Sequence, residues 1–313
     1  MANIRIVTWN VFLVPYLADK RTSRLSNVIA CIKDLDPLPD VICLQEVFFP
    51  KHARAIKDAL SSAYTVCDVA TKKAYPPWFV PGANVGGLFY SIRRSGLLTL
   101  VKKTWAVECI KLKHFSSEAP DWKFWEGDGY ADKGYLWSVL THRETGRRIG
   151  VVNTHLQAYG AYEQVREKQI GQMAKHVAGI SAVMPVVIAG DLNTTENEPL
   201  FQRVINKLHW RHISEESTNG CVGGVMTPLR GARAVDHVFI ADARRTSIQT
   251  RAVSICNRKK AKPYSNHDGV LVDITFPDAS RIEKHLATLW KQALTRRSLP
   301  SHLWRLWRTF RAL

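Results

Sequence analysis

Polar side chains capable of catalysis lie at the ends of short apolar runs, or interrupt them, at six places along the 313-residue chain. They are carboxylates, carboxamides and imidazoles, at Asn10, Glu46, His155, Asp191 with Asn193, Asp236 with His237, and Asn266-His267-Asp268. One such residue after a strand is usually a turn or cap residue. Because ligands collect beyond the ends of strands in open α/β sheets, six such clusters instead predict one shared cleft.

These residue types indicate hydrolysis of a phosphate ester with the help of a hard cation. Carboxylate and amide oxygens suit Mg²⁺, which takes one or two carboxylates and keeps most of its waters. The set has no thiolate and few histidines, which argues against zinc in the cleft. A histidine with a carboxylate partner can take a proton from water, and a second can donate to charge growing on a phosphoryl oxygen.

The elements that must position these residues alternate between strands and helices, with hairpins mixed in. Apolar patterns predict strands over 4–9, 41–44, 86–91, 98–107, 135–141, 149–154, 186–189, 235–240 and 270–274. Helical spacing predicts helices over 21–35, 51–63, 163–182 and 199–208. This order predicts two layers of mixed sheet covered by helices.

The charge balance is strongly basic, with 44 Lys and Arg against 27 Asp and Glu and a formal net charge of +17. Such a surplus favours nucleic acid, anionic membrane or phosphorylated substrates as partners. The six cysteines include no CxxC pair, and neither a signal peptide nor a stretch of ~18 apolar residues is visible. We therefore expect a cytoplasmic protein with no transmembrane helix.

The end of the chain differs from the rest, because residues 280–313 carry a surplus of seven positive charges. After Pro300, one side of the predicted helix is apolar, with Leu303, Trp304, Trp307 and Phe310. A basic, Trp-rich amphipathic helix is typical of a membrane-surface segment, although it can also pack on its own domain. We predict a catalytic domain over 1–278 and a helical tail over 279–313 that holds the protein peripherally on an anionic membrane.

The six clusters resemble, in the same order, the motifs of the endonuclease/exonuclease/phosphatase superfamily. The matching segments are Asn10, Gln45-Glu46, Asn153-Thr154-His155-Leu156, Gly190-Asp191-Leu192-Asn193, Val235-Asp236-His237 and Ser265-Asn266-His267. The resemblance runs from about residue 4 to 276. It implies an α/β fold, a four-layer α/β/β/α sandwich of two mixed sheets of the DNase I type.

Within this superfamily the chain is most similar to neutral sphingomyelinases. The similar segments are Asn10-Val11-Phe12-Leu13-Val14-Pro15, Gln45-Glu46-Val47-Phe48, Gly86-Gly87-Leu88, Asp132-Lys133-Gly134-Tyr135 and Thr154-His155-Leu156-Gln157-Ala158. The resemblance implies Mg²⁺-dependent hydrolysis of sphingomyelin at a membrane surface, giving ceramide and phosphocholine. It also implies Mn²⁺ or Co²⁺ as substitutes for Mg²⁺.

The resemblance also implies a role for each matching residue. The metal ligands are Glu46, with Asn10 beside it, and Asn266. Asp191 orients the attacking water, Asn193 contacts the phosphate and His155 donates to a phosphoryl oxygen. His267 is the general base or acid, paired with Asp236.

Substrate contacts are expected from Lys133 and from an aromatic segment over 115–130. Trp122 and Trp125 in that segment could hold a choline by cation–π contact or lie in the membrane interface. The same aromatic residues could also be ordinary core residues.

Two positions depart from the family pattern. Asn266 replaces an Asp, which removes a negative charge beside the metal and predicts weaker metal affinity, with one or two metals open. Asp268 lies on the same side of an extended strand and could replace that charge. His237 replaces a Tyr, and we interpret it as a packing residue.

Three other functions fit parts of this pattern. A Mg²⁺-dependent endonuclease or exonuclease on DNA or RNA would use the positive charge for phosphate-backbone binding. A phosphoinositide or other lipid-phosphate phosphatase would share the fold, since fold does not fix substrate. A non-catalytic membrane-binding protein is disfavoured because the catalytic residue types are all present.

Overall fold

The computed structural model describes residues 2–13, 18–67, 95–116, 131–213, 234–242, 249–255, 265 and 267–276. The strands of these ranges are β1 (Ala2–Asn10), β2 (Val41–Gln45), β3 (Tyr64–Cys67), β4 (Leu98–Lys102), β5 (Trp105–His114), β6 (Gly134–His142), β7 (Arg148–His155), β8 (Val186–Asp191), β9 (Arg211–His212), β10 (Asp236–Ala241), β11 (Gln249–Ile255) and β12 (Gly269–Phe276). The α-helices are α1 (Ala18–Lys33), α2 (Pro50–Leu60), α3 (Glu163–Ser181) and α4 (Pro199–Arg203), with 3-10 turns at Gly160–Tyr162 and Ile205–Leu208.

The strands form two mixed sheets of six strands each, in the orders β11-β12-β1-β2-β4-β3 and β5-β6-β7-β8-β10-β9. Only the central pairs β1–β2 and β7–β8 are parallel among the described strand pairs. Every other pair is antiparallel, as in the β6–β7 hairpin that the sequence predicts. The predicted α/β fold with two mixed sheets is confirmed.

Alternation along each strand builds the four layers. In β1, Ile4 and Ile6 lie in the core between the two sheets, whereas Val7 and Trp9 pack with residues of α1 and α2. In β8, Val187 lies in the same central core, and the outward side chains pack with residues of α3 and α4. Helices therefore cover the outer face of each sheet, as expected for an α/β/β/α sandwich.

The structure corrects one predicted strand. The apolar pattern over 98–107 is two strands, because a turn at Lys103 and Thr104 ends β4 in the first sheet and starts β5 in the second. The strands β3, β9 and β11 were not predicted. The predicted strand over 86–91 and the predicted tail over 279–313 lie outside the described residues. Among the described helices, none is both long enough and apolar enough to cross a membrane.

A buried pair of amides joins the two sheets below the ends of β2 and β7. Gln45 Nε2 donates to Asn153 Oδ1 at 2.8 Å, and Asn153 Nδ2 donates to the carbonyl oxygens of Leu44 at 3.1 Å and Leu98 at 3.2 Å. Both amide side chains are fully buried. Buried polar groups of this kind fix the relative position of the elements that they join, because an unmade hydrogen bond is costly.

We predict that Asn153→Leu lowers the free energy of unfolding by roughly 2–4 kcal/mol, since it leaves buried partners of the amide unsatisfied. Ser138→Ala is the matched control, because the Ser138 hydroxyl is buried with no hydrogen-bond partner among the described residues. The control should change the unfolding free energy by less than about 1 kcal/mol. Urea denaturation followed by circular dichroism measures both values, and equal values for the two variants would contradict the bridging role.

Candidate functional site

The ends of six strands meet at one end of the sandwich and carry the candidate catalytic residues. The carboxyl ends of the parallel pairs β1–β2 and β7–β8 lie there, beside the starts of β10 and β12. Asp191 in β8 is in register with His155 in β7 on one side and Asp236 in β10 on the other. Alternation places Asp191 on the same face as Val187 and Ala189, which lie in the core between the sheets.

Asp191 is the centre of this group. Its Oδ2 atom accepts a hydrogen bond from Asn10 Nδ2 at 3.0 Å, and it lies 3.6 Å from His155 Nε2 and 3.8 Å from His267 Nε2. Burial alone would raise the pKa of Asp191, but the positive charges of His155 and His267, with the hydrogen bond from Asn10, lower it instead. Asp191 is therefore held as a carboxylate.

Asn10 connects the two sheets through their carboxylates. Its Nδ2 atom donates to Glu46 Oε1 at 2.9 Å as well as to Asp191, and its Oδ1 atom accepts from the Phe12 backbone N–H at 3.1 Å. Glu46 adopts a left-handed backbone with φ 62°, which is costly for a residue with a side chain. The next residue is fixed by the hydrogen bond from Val47 N to Gly96 O at 2.9 Å.

His267 and Asp236 form a buried pair. His267 Nδ1 lies 2.7 Å from Asp236 Oδ2, an arrangement in which Nδ1–H donates and Nε2 is directed to the Asp191 side. Although burial disfavours the charged imidazole, the carboxylates of Asp236, Asp191 and Glu46 together raise the pKa of His267. Ser265 holds the segment in place, because its Oγ donates to Asn10 O at 2.6 Å and accepts from His267 N at 3.1 Å.

The charges around Glu46 fit a divalent cation. Burial raises the pKa of Glu46 to about 7, against the hydrogen bond from Asn10 and the positive charges of His267 and Lys133, which lower it. Glu46 Oε2 and Asp236 Oδ1 are buried with no hydrogen-bond partner among the described residues. Asp191, Asp236 and His267 also each offer a ligand atom within 4.8 Å of the others. Buried oxygens of this kind are the ligands that a hard cation prefers.

Asn193 and Lys133 lie at the two sides of the group. Asn193 has a left-handed backbone with φ 51°, its N–H donates to Asp191 Oδ1 at 2.9 Å and its Nδ2 donates to Leu156 O at 2.9 Å. Lys133 is fully buried, and its charge acts on Glu46. Gly134, the next residue, permits a close approach of β5 and β6, since a Cβ atom there would stand 2.3 Å from Lys113 O in the neighbouring strand.

A glycine is also required before Asp191. Gly190 has φ 155°, and a Cβ atom on it would stand 2.0 Å from Thr154 O in β7. Only glycine permits the two strands to approach this closely. The glycine therefore keeps Asp191 beside His155, which explains the Gly-Asp order in the sequence motif.

The structure brings together most of the predicted site residues but not all of them. Glu46, Asn10, His155, Asp191, Asn193, Asp236, His267 and Lys133 lie in one cluster. Trp122, Trp125 and Asn266 lie outside the described residues. His237 lies on the opposite face of β10 and is not in this cluster: its ring stacks on Phe239 at 5.8 Å between centroids, and burial lowers its pKa to about 4.

Three residues near the site had no role in the sequence prediction. Trp9 Nε1 donates to His267 O at 3.0 Å, and Arg24 Nη1 donates to Phe12 O at 2.5 Å near the Glu46 charge. Ser265 is the third, and its place two residues before His267 was the available signal. The contacts of Trp9 and Arg24 with the site could not be predicted from residue spacing. Their segments show only the ordinary pattern of a strand and of a helix.

The sequence and structure are similar to those of known proteins. The pattern that defines the Endonuclease/Exonuclease/phosphatase family matches residues 7–303. An alignment of 79 positions, which covers 21% of this chain, shows 30% identity to the 3'-5'-exoribonuclease subunit Ccr4 of the CCR4-Not complex of Candida albicans. The match therefore spans only 10% of the length of that curated relative.

Two solved structures illustrate which known proteins have a similar fold. Sphingomyelinase C from Streptomyces griseocarneus aligns with a TM-score of 0.63 and 17% identity over 87% of this chain and 99% of its own. TDP2 from C. elegans aligns with a TM-score of 0.63 and 17% identity over 88% of this chain and 75% of its own. At these identities the likeness shows the fold alone.

We predict that Glu46→Gln weakens the binding of Mg²⁺ or Mn²⁺ at least about tenfold, because it removes the negative charge that favours the cation. Isothermal titration calorimetry of the full chain measures this affinity. Glu144→Gln makes the same chemical change in the exposed turn between β6 and β7 and should bind as the wild type does. Equal affinities in the wild type and Glu46→Gln would show that the cation binds at a place other than Glu46.

Proposed function

The chain belongs to the endonuclease/exonuclease/phosphatase family, and we propose that it is a Mg²⁺-dependent phosphodiesterase that hydrolyses sphingomyelin at a membrane surface. The products are ceramide and phosphocholine. The observation that carries the proposal of phosphoester hydrolysis is the 2.7 Å contact of His267 with Asp236, which orients the imidazole toward Asp191. A histidine fixed by a carboxylate beside a second carboxylate is suited to activate water.

In the proposed reaction His267 Nε2 takes a proton from water while the water oxygen attacks phosphorus in line. This step needs a neutral His267, and a cation held by Glu46 would offset the carboxylate charges that raise the pKa of the imidazole. Asp191 accepts a hydrogen bond from that water and holds it in place. The bond between phosphorus and the ceramide oxygen breaks, and that oxygen takes up a proton from solvent water. His267 then returns the proton it took to the solvent, which restores the neutral base. His155 donates a hydrogen bond to the charge that grows on a phosphoryl oxygen, and the second amide hydrogen of Asn193 is available to the phosphate.

The metal in this proposal is Mg²⁺, for which Mn²⁺ or Co²⁺ could substitute. Glu46 and Asn10 would hold it, with Asn266 as the third ligand predicted from sequence. A lone pair of Asn10 Oδ1 and the buried Glu46 Oε2 fit that role. When bound, the ion supplies positive charge that neutralises the non-bridging oxygens and the leaving oxygen.

Sphingomyelin is favoured over other phosphodiesters by the motifs that resemble those of neutral sphingomyelinases. Lys133 of the Lys-Gly motif is buried beside Glu46, where a fixed positive charge would stabilise a phosphate. The Trp-rich segments that contain Trp122 and Trp125 and that end the chain are suited to a membrane interface. Sphingomyelinase C is among the proteins that share this fold.

A nuclease is the second candidate function. The net charge of +17 would serve binding to a phosphate backbone, and the 30% identity to Ccr4 is to an exoribonuclease subunit. The catalytic group would act on a phosphodiester of nucleic acid by the same chemistry. Only the surface that presents the substrate would differ.

We predict that the purified chain with Mg²⁺ releases phosphocholine from sphingomyelin vesicles and cuts neither supercoiled plasmid nor single-stranded RNA. Phosphoinositide vesicles should release no phosphate. His267→Gln should lower the rate at least about 100-fold, since it removes the general base. That variant also shows whether the activity belongs to this protein. Nicking of plasmid or cleavage of RNA without release of phosphocholine would contradict the lipid substrate and favour the nuclease.

We predict that deletion of residues 279–313 weakens binding to anionic vesicles but leaves hydrolysis of detergent-solubilised sphingomyelin unchanged. The tail would bind through its positive charges and its Trp residues. Vesicle sedimentation measures the binding. Replacement of Arg305, Arg308 and Arg311 by Gln is the milder variant and should lower binding to anionic but not to neutral vesicles. Equal binding after truncation would show that the tail is no anchor.

A further inference from the structure

A second group of metal-binding side chains lies on the outer face of the second sheet. Glu196, His212 and His237 each offer one ligand atom, and these atoms all lie within 4.8 Å of one another. We propose that these three residues bind a transition-metal ion of the zinc type, at a site separate from the Glu46 cluster. This proposal is independent of which phosphodiester the protein hydrolyses.

The three side chains come from three separate segments that the fold brings together. His237 lies in β10, His212 lies in β9 opposite Phe239, and Glu196 lies in the loop between β8 and α4. Because β10 alternates, His237 is directed away from the cleft into which Asp236 points. The two cation sites therefore lie on opposite faces of one strand.

Aromatic rings hold the two imidazoles. The His212 ring stacks on Phe239 with 4.6 Å between centroids and an interplanar angle of 23°, and Phe201 of α4 lies 5.2 Å from His237. His237 is 1% exposed, and the side chains of His212 and Glu196 are 8% and 37% exposed. An ion could reach the group from the Glu196 side, while apolar rings restrict it on the others.

The hydrogen bonds among these residues leave a position that suits a cation. His237 Nε2 lies 2.8 Å from Thr194 O, and since a carbonyl only accepts, this nitrogen carries the hydrogen. Nδ1 of a neutral His237 is then a bare lone pair, directed at His212 Nε2 at 3.0 Å. His212 Nδ1 faces Glu196 Oε1 at 3.4 Å. A cation between His212 Nε2 and His237 Nδ1 would bind one lone pair of each ring and leave the hydrogen of a neutral His212 on Nδ1, on the Glu196 side. A carboxylate oxygen of Glu196 lies within 4.8 Å of the imidazole ligand atoms.

The geometry is close to that of known zinc ligands. Two nitrogens that each bind Zn²⁺ at its usual bond length and at the tetrahedral angle stand about 3.3 Å apart. His212 Nε2 and His237 Nδ1 stand 3.0 Å apart, so a small opening would admit the ion. The bond from His237 Nε2–H to Thr194 O matches the carbonyl contact that usually orients a metal-binding imidazole through its other nitrogen.

The ligand types identify the class of ion. Two imidazoles and one carboxylate suit zinc and its transition-metal neighbours, whereas Mg²⁺ prefers oxygen ligands alone. Three protein ligands leave one tetrahedral position for water. An ion here would clamp the loop after Asn193 to β9 and β10, because that loop contains both Thr194 and Glu196.

The test is a Zn²⁺ titration of the metal-stripped full chain in an excess of Mg²⁺, which competes for the oxygen-rich cleft. The wild type should bind one equivalent of Zn²⁺ that His212→Gln does not bind. Glu196→Gln should weaken this binding at least tenfold. His209→Asn is the matched control, because His209 is exposed and its left-handed backbone with φ 52° suits Asn. It should bind Zn²⁺ as the wild type does.

Co²⁺ in place of Zn²⁺ gives a second readout, since a four-coordinate site with nitrogen ligands produces strong visible absorption bands. These bands should appear in the wild type and in His209→Asn, and should be absent in His212→Gln. Glu196→Gln alters a partly exposed side chain, so it decides the matter should His212→Gln fail to fold. Equal Zn²⁺ stoichiometry and affinity in the wild type and Glu196→Gln, or only the weak spectrum of octahedral Co²⁺ in the wild type, would overturn the proposal.

Discussion

The buried carboxylates of Asp191 and Asp236 and the half-buried carboxylate of Glu46, at one end of the sandwich, are the constraint on which the site depends. Glu46, Asp191 and Asp236 come from both sheets, and their like charges in a medium of low polarity oppose one another. Asn10 and the imidazole of His267 offset part of this cost. One oxygen of Glu46 still has no partner among the described residues, which is where a divalent cation would complete the charge balance.

The alternation of side chains along the strands explains how much of the site could be predicted from sequence. The inward residues of β8 run Val187, Ala189, Asp191, so the apolar pattern of the core continues directly into the catalytic residue. A polar residue that continues the alternating pattern of buried apolar residues in a strand can be recognised in the sequence. The resemblance of the ordered motifs to those of the family then assigns Glu46 and His267 to the same cleft, although 220 residues of the 313-residue chain lie between them.

Other features could not be predicted, for physical reasons. The pattern over 98–107 continues through the turn at Lys103, so nothing local shows that β4 and β5 belong to different sheets. The contact of Gln45 with Asn153 depends on how the sheets face each other, which no spacing within one strand reveals. His237 was interpreted as a packing residue, and its ring does pack on Phe239. Its pairing with His212 depends on β9, which is too short to give a pattern.

The same alternation separates two proposed cation sites by a single residue of β10. Asp236 points into the oxygen-rich cleft between the sheets, and His237 points to the layer of helices on the outside. Oxygen ligands on one face and imidazoles on the other would select ions of different hardness. The loop from Asp191 to Glu198 joins the two sites, since Asn193 lies at the first and Thr194 bonds to His237 at the second.

The most direct test of the central claim is anomalous diffraction from a crystal of the full chain grown with Mn²⁺ and a non-hydrolysable phosphodiester. We expect a Mn²⁺ peak in contact with Glu46, with the phosphorus atom between that ion and His267. A phosphate bound with no Mn²⁺ peak at Glu46, or a phosphorus atom beyond the reach of His267, would contradict it.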